Sequence, residues 1–99
     1  MRKGKKGDAI PPEALNALAR ELERLGDPYL EIWKAGKFCY VRHGGSPLCR
    51  LGYRGDTEIW DFAIYKYSTQ RYSAQEFFPR TGTVAELVRM AMSAYNLRP

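Results

Sequence analysis

The chain has 99 residues, 44% of them hydrophobic and 13% aromatic, and this composition is typical of one globular domain rather than of a disordered chain. Its apolar runs are much shorter than the roughly 20 residues that a membrane-spanning helix needs, and no apolar segment follows the basic N-terminus as it would in a secretion signal. We therefore expect a cytoplasmic protein of one domain.

The net charge of +5 is concentrated at the N-terminus. Residues 1–10 are predicted to be a basic flexible arm, and residues 11–99 a single α+β domain. Without the four cations of the arm, 12 basic residues remain in the chain against 11 acidic ones, so the rest of the chain is nearly neutral. Such an arm either contacts the phosphates of a nucleic acid or is a solvated terminus. Its four cations are Arg2, Lys3, Lys5 and Lys6.

The first element of the domain is predicted to be a helix of about 14 residues. Pro11 and Pro12 suit a first helical turn, where backbone N–H groups have no partner. Leucines then recur at spacings of three and four between positions 15 and 25, which indicates one apolar stripe. Gly26 suits a left-handed C-cap.

Four strands are predicted next, at residues 29–34, 37–43, about 48–53 and about 58–67. Short turns separate them, so they should form an antiparallel meander. The register of the first hairpin follows from a two-residue turn at Ala35-Gly36, which would pair Trp33 with Phe38.

The later registers are predicted from burial and charge. An odd-length loop around the turn predicted at Gly44-Gly45-Ser46-Pro47 keeps Cys49 on the same face as the core, whereas an even loop would bury Arg50. A four-residue turn at 54–57 would then pair Leu51 with Trp60. The same turn sets Arg50 opposite Asp61, a favourable pair of opposite charges.

The C-terminal third is predicted to be a loop and a helix. Residues 68–80 are polar apart from Phe77 and Phe78, which should hold the loop against the domain. Thr83 and Glu86 have the spacing of a capping box, and an apolar stripe follows them.

The predicted fold is a two-layer α+β sandwich in the order α-β-β-β-β-α, with a four-stranded antiparallel meander and both helices on one face. This order resembles that of double-stranded RNA-binding domains in topology alone. Those domains carry a basic cluster at the start of the last helix, where this chain has residues 83–86 and Arg80 as the nearby cation. The predicted core consists of Leu15, Leu18, Leu22, Leu30, Ile32, Cys39, Val41, Leu51, Trp60, Phe62, Ile64, Leu87, Val88 and Ala91.

The sequence predicts no catalytic residue, no metal site and no cofactor. Two cysteines and one histidine lack the spacing of a metal site or a disulfide framework. One enzymatic hypothesis pairs Cys49 as nucleophile with His43 as base. The alternative is that both cysteines are core residues and that His43 lies beside a turn.

The other face of the sheet carries more aromatic residues than one buried face can absorb. Three explanations are open: a second small core closed by Tyr72, Phe77 and Phe78 of the 68–80 loop, an interface with a protein partner or a second copy, or a stacking platform for single-stranded nucleic acid. The predicted function is a small interaction domain that binds a protein or itself; the alternative is a nucleic-acid-binding module that also uses the basic arm. The predicted contact residues are Tyr29, Trp33, Tyr40, Arg42, Tyr65 and Tyr67.

Overall fold

The computed structural model describes residues 9–74 and 78–97. The fold has two helices and one antiparallel sheet with the strand order β1-β2-β3-β4-β5, and β6 pairs with the beginning of β4. This arrangement confirms the predicted α+β class and the meander. The elements are α1 (Pro12–Leu25), β1 (Leu30–Ala35), β2 (Phe38–His43), β3 (Ser46–Tyr53), β4 (Trp60–Lys66), β5 (Arg71–Ser73), β6 (Thr81–Gly82) and α2 (Val84–Ala94).

Both helices begin as the sequence predicts, and α1 also ends at its predicted glycine. Pro12 opens α1, and Gly26 closes it with a φ of 71°, a left-handed conformation that suits glycine. In α2 the Thr83 side chain accepts a hydrogen bond from the Glu86 N–H, and the Glu86 carboxylate accepts one from the Thr83 N–H. This capping box satisfies two backbone donors that a helix leaves unpaired. Neither described helix is long and apolar enough to cross a membrane.

One hydrophobic core lies between the helices and the sheet, so both helices cover the same face. Most of the predicted core is buried, whereas Leu15, Leu30 and Ile32 are only partly buried at its margin. Ile10 lies within the predicted arm, yet its side chain is buried in this core. The buried members of the core are Ile10, Ala14, Leu18, Leu22, Cys39, Val41, Leu48, Cys49, Leu51, Trp60, Phe62, Ile64, Val84, Leu87, Val88, Ala91 and Met92.

Two predicted registers are wrong by two residues, although every strand keeps its predicted faces. In the first hairpin Trp33 lies opposite Tyr40, because the turn residues are Gly36, with a φ of 62°, and its successor. Between β3 and β4, Leu51 lies opposite Phe62. A shift of two residues preserves the faces because side chains alternate with a period of two.

The predicted pair of Arg50 and Asp61 is therefore also wrong. Asp61 lies opposite Gly52 and its Oδ1 is 3.6 Å from Nη1 of Arg54. The connection between β3 and β4 is longer than predicted, since β4 begins only at Trp60. The Asp56 carboxylate holds that connection by accepting a hydrogen bond from the Glu58 N–H at 2.6 Å.

A β-bulge in β3 keeps Cys49 on the core face of the sheet. The sequence analysis attributed this placement to an odd-length loop. The turn itself is Gly44-Gly45, and both glycines have positive φ, as tight hairpin turns require. The pairing then shifts: Val41 lies opposite Cys49, but Arg42 lies opposite Pro47. Leu48 is the extra residue, so both it and Cys49 point into the core.

The segment predicted as a loop at 68–80 contains β5 and lies before β6. The hairpin from β4 to β5 is closed by a hydrogen bond from the Gln70 N–H to the Lys66 carbonyl at 2.7 Å, with Gln70 at a φ of 57°. Phe78 packs on Phe62 with 5.8 Å between ring centroids, which places it on the helical side of the sheet. Phe77 lies outside the described residues.

Candidate contact surface

The sheet face that points away from the helices is called the second face. Its middle row runs across four strands, from Trp33 on β1 through Tyr40 and Arg50 to Ala63 on β4. Strand alternation places Phe38, Arg42 and Tyr65 on the same side, as predicted. The aromatic residues of the second face therefore do point away from the leucines of α1.

Tyr72 of the unpredicted strand β5 covers the middle of the second face. Its ring centroid is 5.2 Å from that of Tyr40 and 5.0 Å from that of Tyr65, both with edge-on geometry. Tyr40 and Tyr72 belong to β2 and β5, so their rings lean towards each other over the two strands between them. Ala63 lies beneath and is 6% exposed, so this part of the face is a small second core.

Arg50 completes this cover. Its guanidinium carbon lies 4.3 Å from the centroid of the Phe38 ring and 5.5 Å from that of Tyr72. A guanidinium over an aromatic face is attracted by the negative charge of the ring surface. The positive charge of Arg50 is therefore stabilised by aromatic rings of its own sheet, and not by the predicted contact with Asp61.

The β1 side of the second face is open. The Trp33 side chain is 58% exposed, and the Arg42 guanidinium carbon lies 5.0 Å from the centroid of its ring. Strand β1 pairs with β2 on one edge, and no strand in the described parts of the chain pairs with its other edge. Unpaired backbone groups and a large exposed aromatic ring therefore lie side by side.

Tyr67 and the backbone carbonyl of Tyr65 contact the end of α2. Tyr67 donates a hydrogen bond to the Pro47 carbonyl at 2.5 Å, and its ring centroid is 5.6 Å from that of Tyr95. Tyr95 in turn donates a hydrogen bond to the Tyr65 carbonyl. Burial raises the pKa of Tyr95, and nearby Tyr67 adds to this effect. These contacts fasten the helix end to the sheet, although Tyr67 itself remains 49% exposed.

Tyr29 lies apart from the other predicted contact residues. It precedes β1, and its ring centroid is 5.6 Å from that of His43. The Asp27 side chain is almost completely buried and accepts two hydrogen bonds, from the Tyr29 N–H and from Nε2 of His43, both at 2.9 Å. Burial alone would raise the pKa of Asp27, but these two partners hold it below its ordinary value.

The hypothesis of a Cys49–His43 catalytic pair finds no support in this geometry. His43 contacts Asp27, and Cys49 is fully buried opposite Val41. Burial raises the pKa of both thiols, that of Cys39 to about 11, whereas a nucleophilic cysteine needs a lowered pKa. In residues 9–74 and 78–97, no group of three or more histidine, cysteine, aspartate or glutamate side chains could hold a metal ion.

The sequence analysis missed the Asp27–His43 contact and strand β5, although one of its open explanations was a second small core closed through Tyr72. Asp27 directly follows the glycine that ends α1, and nothing in its sequence neighbourhood indicates a partner 16 residues away. Tyr72 follows a turn without glycine or proline, so β5 carries no ordinary hairpin signal. The predicted nucleic-acid contacts Arg2, Lys3, Lys5 and Lys6 lie outside the described residues.

Comparison of the chain with models of protein families, with curated proteins and with solved structures finds no match. The second face and the open edge of β1 are therefore interpreted from their own chemistry.

Proposed function

We propose that the protein is a non-enzymatic interaction domain that binds another protein molecule through the β1 rim. The β1 rim consists of the unpaired edge of β1 together with Glu31, Trp33 and Arg42 on the second face. The observation that carries the proposal is the 58% exposure of Trp33 on a strand with only one strand neighbour among the described residues.

The composition of the rim favours protein binding. Tryptophan, tyrosine and arginine dominate the binding energy of protein interfaces because they combine a large apolar area with polar groups. Arg42 lies over the Trp33 ring and so restricts the side chain before any partner arrives. Such preorganisation lowers the entropy cost of binding.

The backbone of the rim offers a second means of recognition. An open strand edge can receive an additional strand, whose main-chain hydrogen bonds supply affinity while side chains on the two faces supply specificity. In β1 the hydrogen-bonding groups of alternate residues point away from β2. An extended segment of a partner would pair with them and cover Trp33 at the same time.

Nucleic acid is the alternative partner, and the described part of the second face favours it less. Arg42 and Arg50 are both stacked on rings of the same sheet, and Glu31 and Asp61 add negative charge to the same face. Domains that bind nucleic acid generally carry a continuous basic stripe. A contact made by the N-terminal cations would depend steeply on salt concentration.

Site-specific photocross-linking in cells that express the protein tests this proposal. The photoreactive amino acid p-benzoylphenylalanine replaces Trp33 in one variant. A matched control carries it at Arg89, on α2 and exposed to solvent. The proposal predicts one or a few discrete protein adducts from position 33 that are missing from position 89.

Two results would contradict the proposal. Identical adducts from both positions would mean that position 33 has no particular partner. Adducts that nuclease digestion removes would assign the surface to nucleic acid.

A further inference from the structure

We infer that the partner at the β1 rim is a second copy of this chain, joined by antiparallel pairing of two β1 strands with Ile32 on the two-fold axis. This inference rests on the proposed function and specifies its partner. It follows from which backbone groups are free, which registers the side chains allow, and one unpaired charge beside the strand.

The free backbone groups belong to the even-numbered residues of β1. The two-residue turn makes Ala35 and Phe38 a hydrogen-bonded pair, and the same alternation continues to Tyr29, whose carbonyl accepts from the Gly44 N–H. The N–H and C=O groups of Ile32 and Lys34 therefore point away from β2. At the other end, the Leu30 N–H already donates to the Asp27 carbonyl, and the Leu30 carbonyl has no partner within residues 9–74 and 78–97.

Two-fold symmetry limits the possible registers. In a continuous sheet, the core-facing side chains of both copies must lie on the same side. Because side chains alternate along a strand, this requires that the residue numbers of each opposed pair add up to an even number. Pairing Glu31 with Glu31 of the other copy would bring like charges together, and pairing Lys34 with Lys34 would do the same. The register centred on Ile32 avoids both and pairs Ile32 with Ile32 and Leu30 with Lys34 of the other copy.

This register also closes an apolar cleft beside β1. The cleft has a volume of about 230 Å³, and half-buried Leu30 and Ile32 form one of its walls. Its further lining residues are Ala19, Leu22, Glu23, Asp27 and Pro28. In the proposed dimer the Ile32 side chains of the two copies meet at the edge of the core, and their apolar surface leaves water.

Charge complementarity selects the same register. Lys34 points to the same side of β1 as Leu30 and Ile32, and it is exposed. In the dimer it lies opposite Leu30 of the other copy. There the cleft contains the exposed carboxylate of Glu23, which has no ion-pair partner in the described part of the chain. The C-terminus of α1 ends at the same place, and its partial negative charge attracts a cation. The register centred on Trp33 would instead set Lys34 opposite Ile32, further along β1 from the end of α1.

Cysteine cross-linking of the purified protein tests the register. In the Ile32→Cys variant the two introduced residues form a hydrogen-bonded pair, with Cα atoms about 5.5 Å apart, inside the range for a disulfide. In the Trp33→Cys variant they are diagonal neighbours, too distant to bridge. The native Cys39 and Cys49 are buried and will not compete. We expect efficient oxidation to a covalent dimer at position 32 and little at position 33.

Charge reversal tests the same model without touching the core. Light scattering should give twice the 11.4 kDa mass of one chain. Glu23→Lys or Lys34→Glu alone should raise the dimer dissociation constant about tenfold, because each exposed pair occurs twice. The double variant should restore it to within about threefold of the wild-type value.

Three results would overturn the inference: a monomer at all concentrations up to about 1 mM, cross-linking at position 33 rather than 32, or no recovery in the double variant. A monomer that still forms discrete protein adducts from position 33 in cells would overturn the second copy as partner while the proposed function stands. A monomer without such adducts would overturn both.

Discussion

Replacement of Asp27 by asparagine tests the buried contact that joins the end of α1 to the second hairpin. The Asp27 side chain is 1% exposed and accepts hydrogen bonds from the Tyr29 N–H and from His43. Asparagine has nearly the same shape and can still accept from Tyr29, but it carries no charge. The substitution therefore removes the charge from both contacts, places the amide nitrogen opposite His43 as a donor, and leaves the packing in place.

The expected cost at neutral pH is about 2 kcal/mol. A hydrogen bond to a charged group contributes about 1.5–3 kcal/mol and a neutral one about 0.5–1.5 kcal/mol, so each of the two bonds loses roughly 1 kcal/mol. The pKa of Asp27 is lowered in the folded protein, so its ionised form stabilises the fold above the ordinary carboxyl pKa. That contribution is lost as the pH falls through the lowered pKa, because the protonated carboxyl group resembles the neutral amide.

Urea unfolding of both proteins between pH 7 and pH 3 measures this difference. The gap in unfolding free energy should be about 2 kcal/mol at pH 7 and should narrow steadily below about pH 4. Asp56→Asn, at an exposed turn carboxylate that also accepts from a backbone N–H, is the control and should cost less than about 1 kcal/mol at every pH. A gap for Asp27→Asn that is the same at pH 7 and pH 3 would refute the electrostatic explanation.

Three further predictions follow from the helix cap, the thiols and the aromatic cover. Thr83→Ala removes the capping box of α2 and should lower the unfolding free energy by about 1 kcal/mol in urea titrations, whereas Thr83→Ser should cost much less. Cys39 and Cys49 are buried with raised pKa values, so a thiol reagent at pH 8 should label both at the rate of unfolding; rapid labelling of the native protein would contradict this. Tyr72→Ala should cost about 1–3 kcal/mol by uncovering Ala63 and the Arg50 guanidinium, and Tyr72→Phe, which keeps the ring, should cost under about 1 kcal/mol.

The fold class could be predicted because the strongest signals were local. The leucine stripe and the glycine stop define α1, and Thr83 with Glu86 defines the start of α2. Strand parity was also predictable, because only one parity keeps Arg50 out of the core. The strand registers were harder to predict from the sequence. A shift of two residues leaves every side chain on the same face of the sheet and hardly changes its burial.

The parts of the surface that the sequence did not reveal depend on contacts between distant residues. Tyr72 covers the second face only because β5 pairs with β4, and the short polar segment 71–73 has no periodic pattern from which to predict a strand. The contact of Asp27 with His43 requires the turn before β1 to lie against the end of β2. The sequence nevertheless placed Trp33 and Arg42 on the same face of the sheet, away from the helices, since alternation alone decides that.

Hydrogen exchange at β1, measured residue by residue at two protein concentrations, tests the central claim that this strand edge is the contact surface. The amide groups of Ile32 and Lys34 point away from β2, so they should exchange rapidly in dilute protein and at least tenfold more slowly in concentrated protein, while that of Trp33 stays protected in both. If the amides of Ile32 and Lys34 exchange equally fast at both concentrations, β1 is not the edge through which two copies associate.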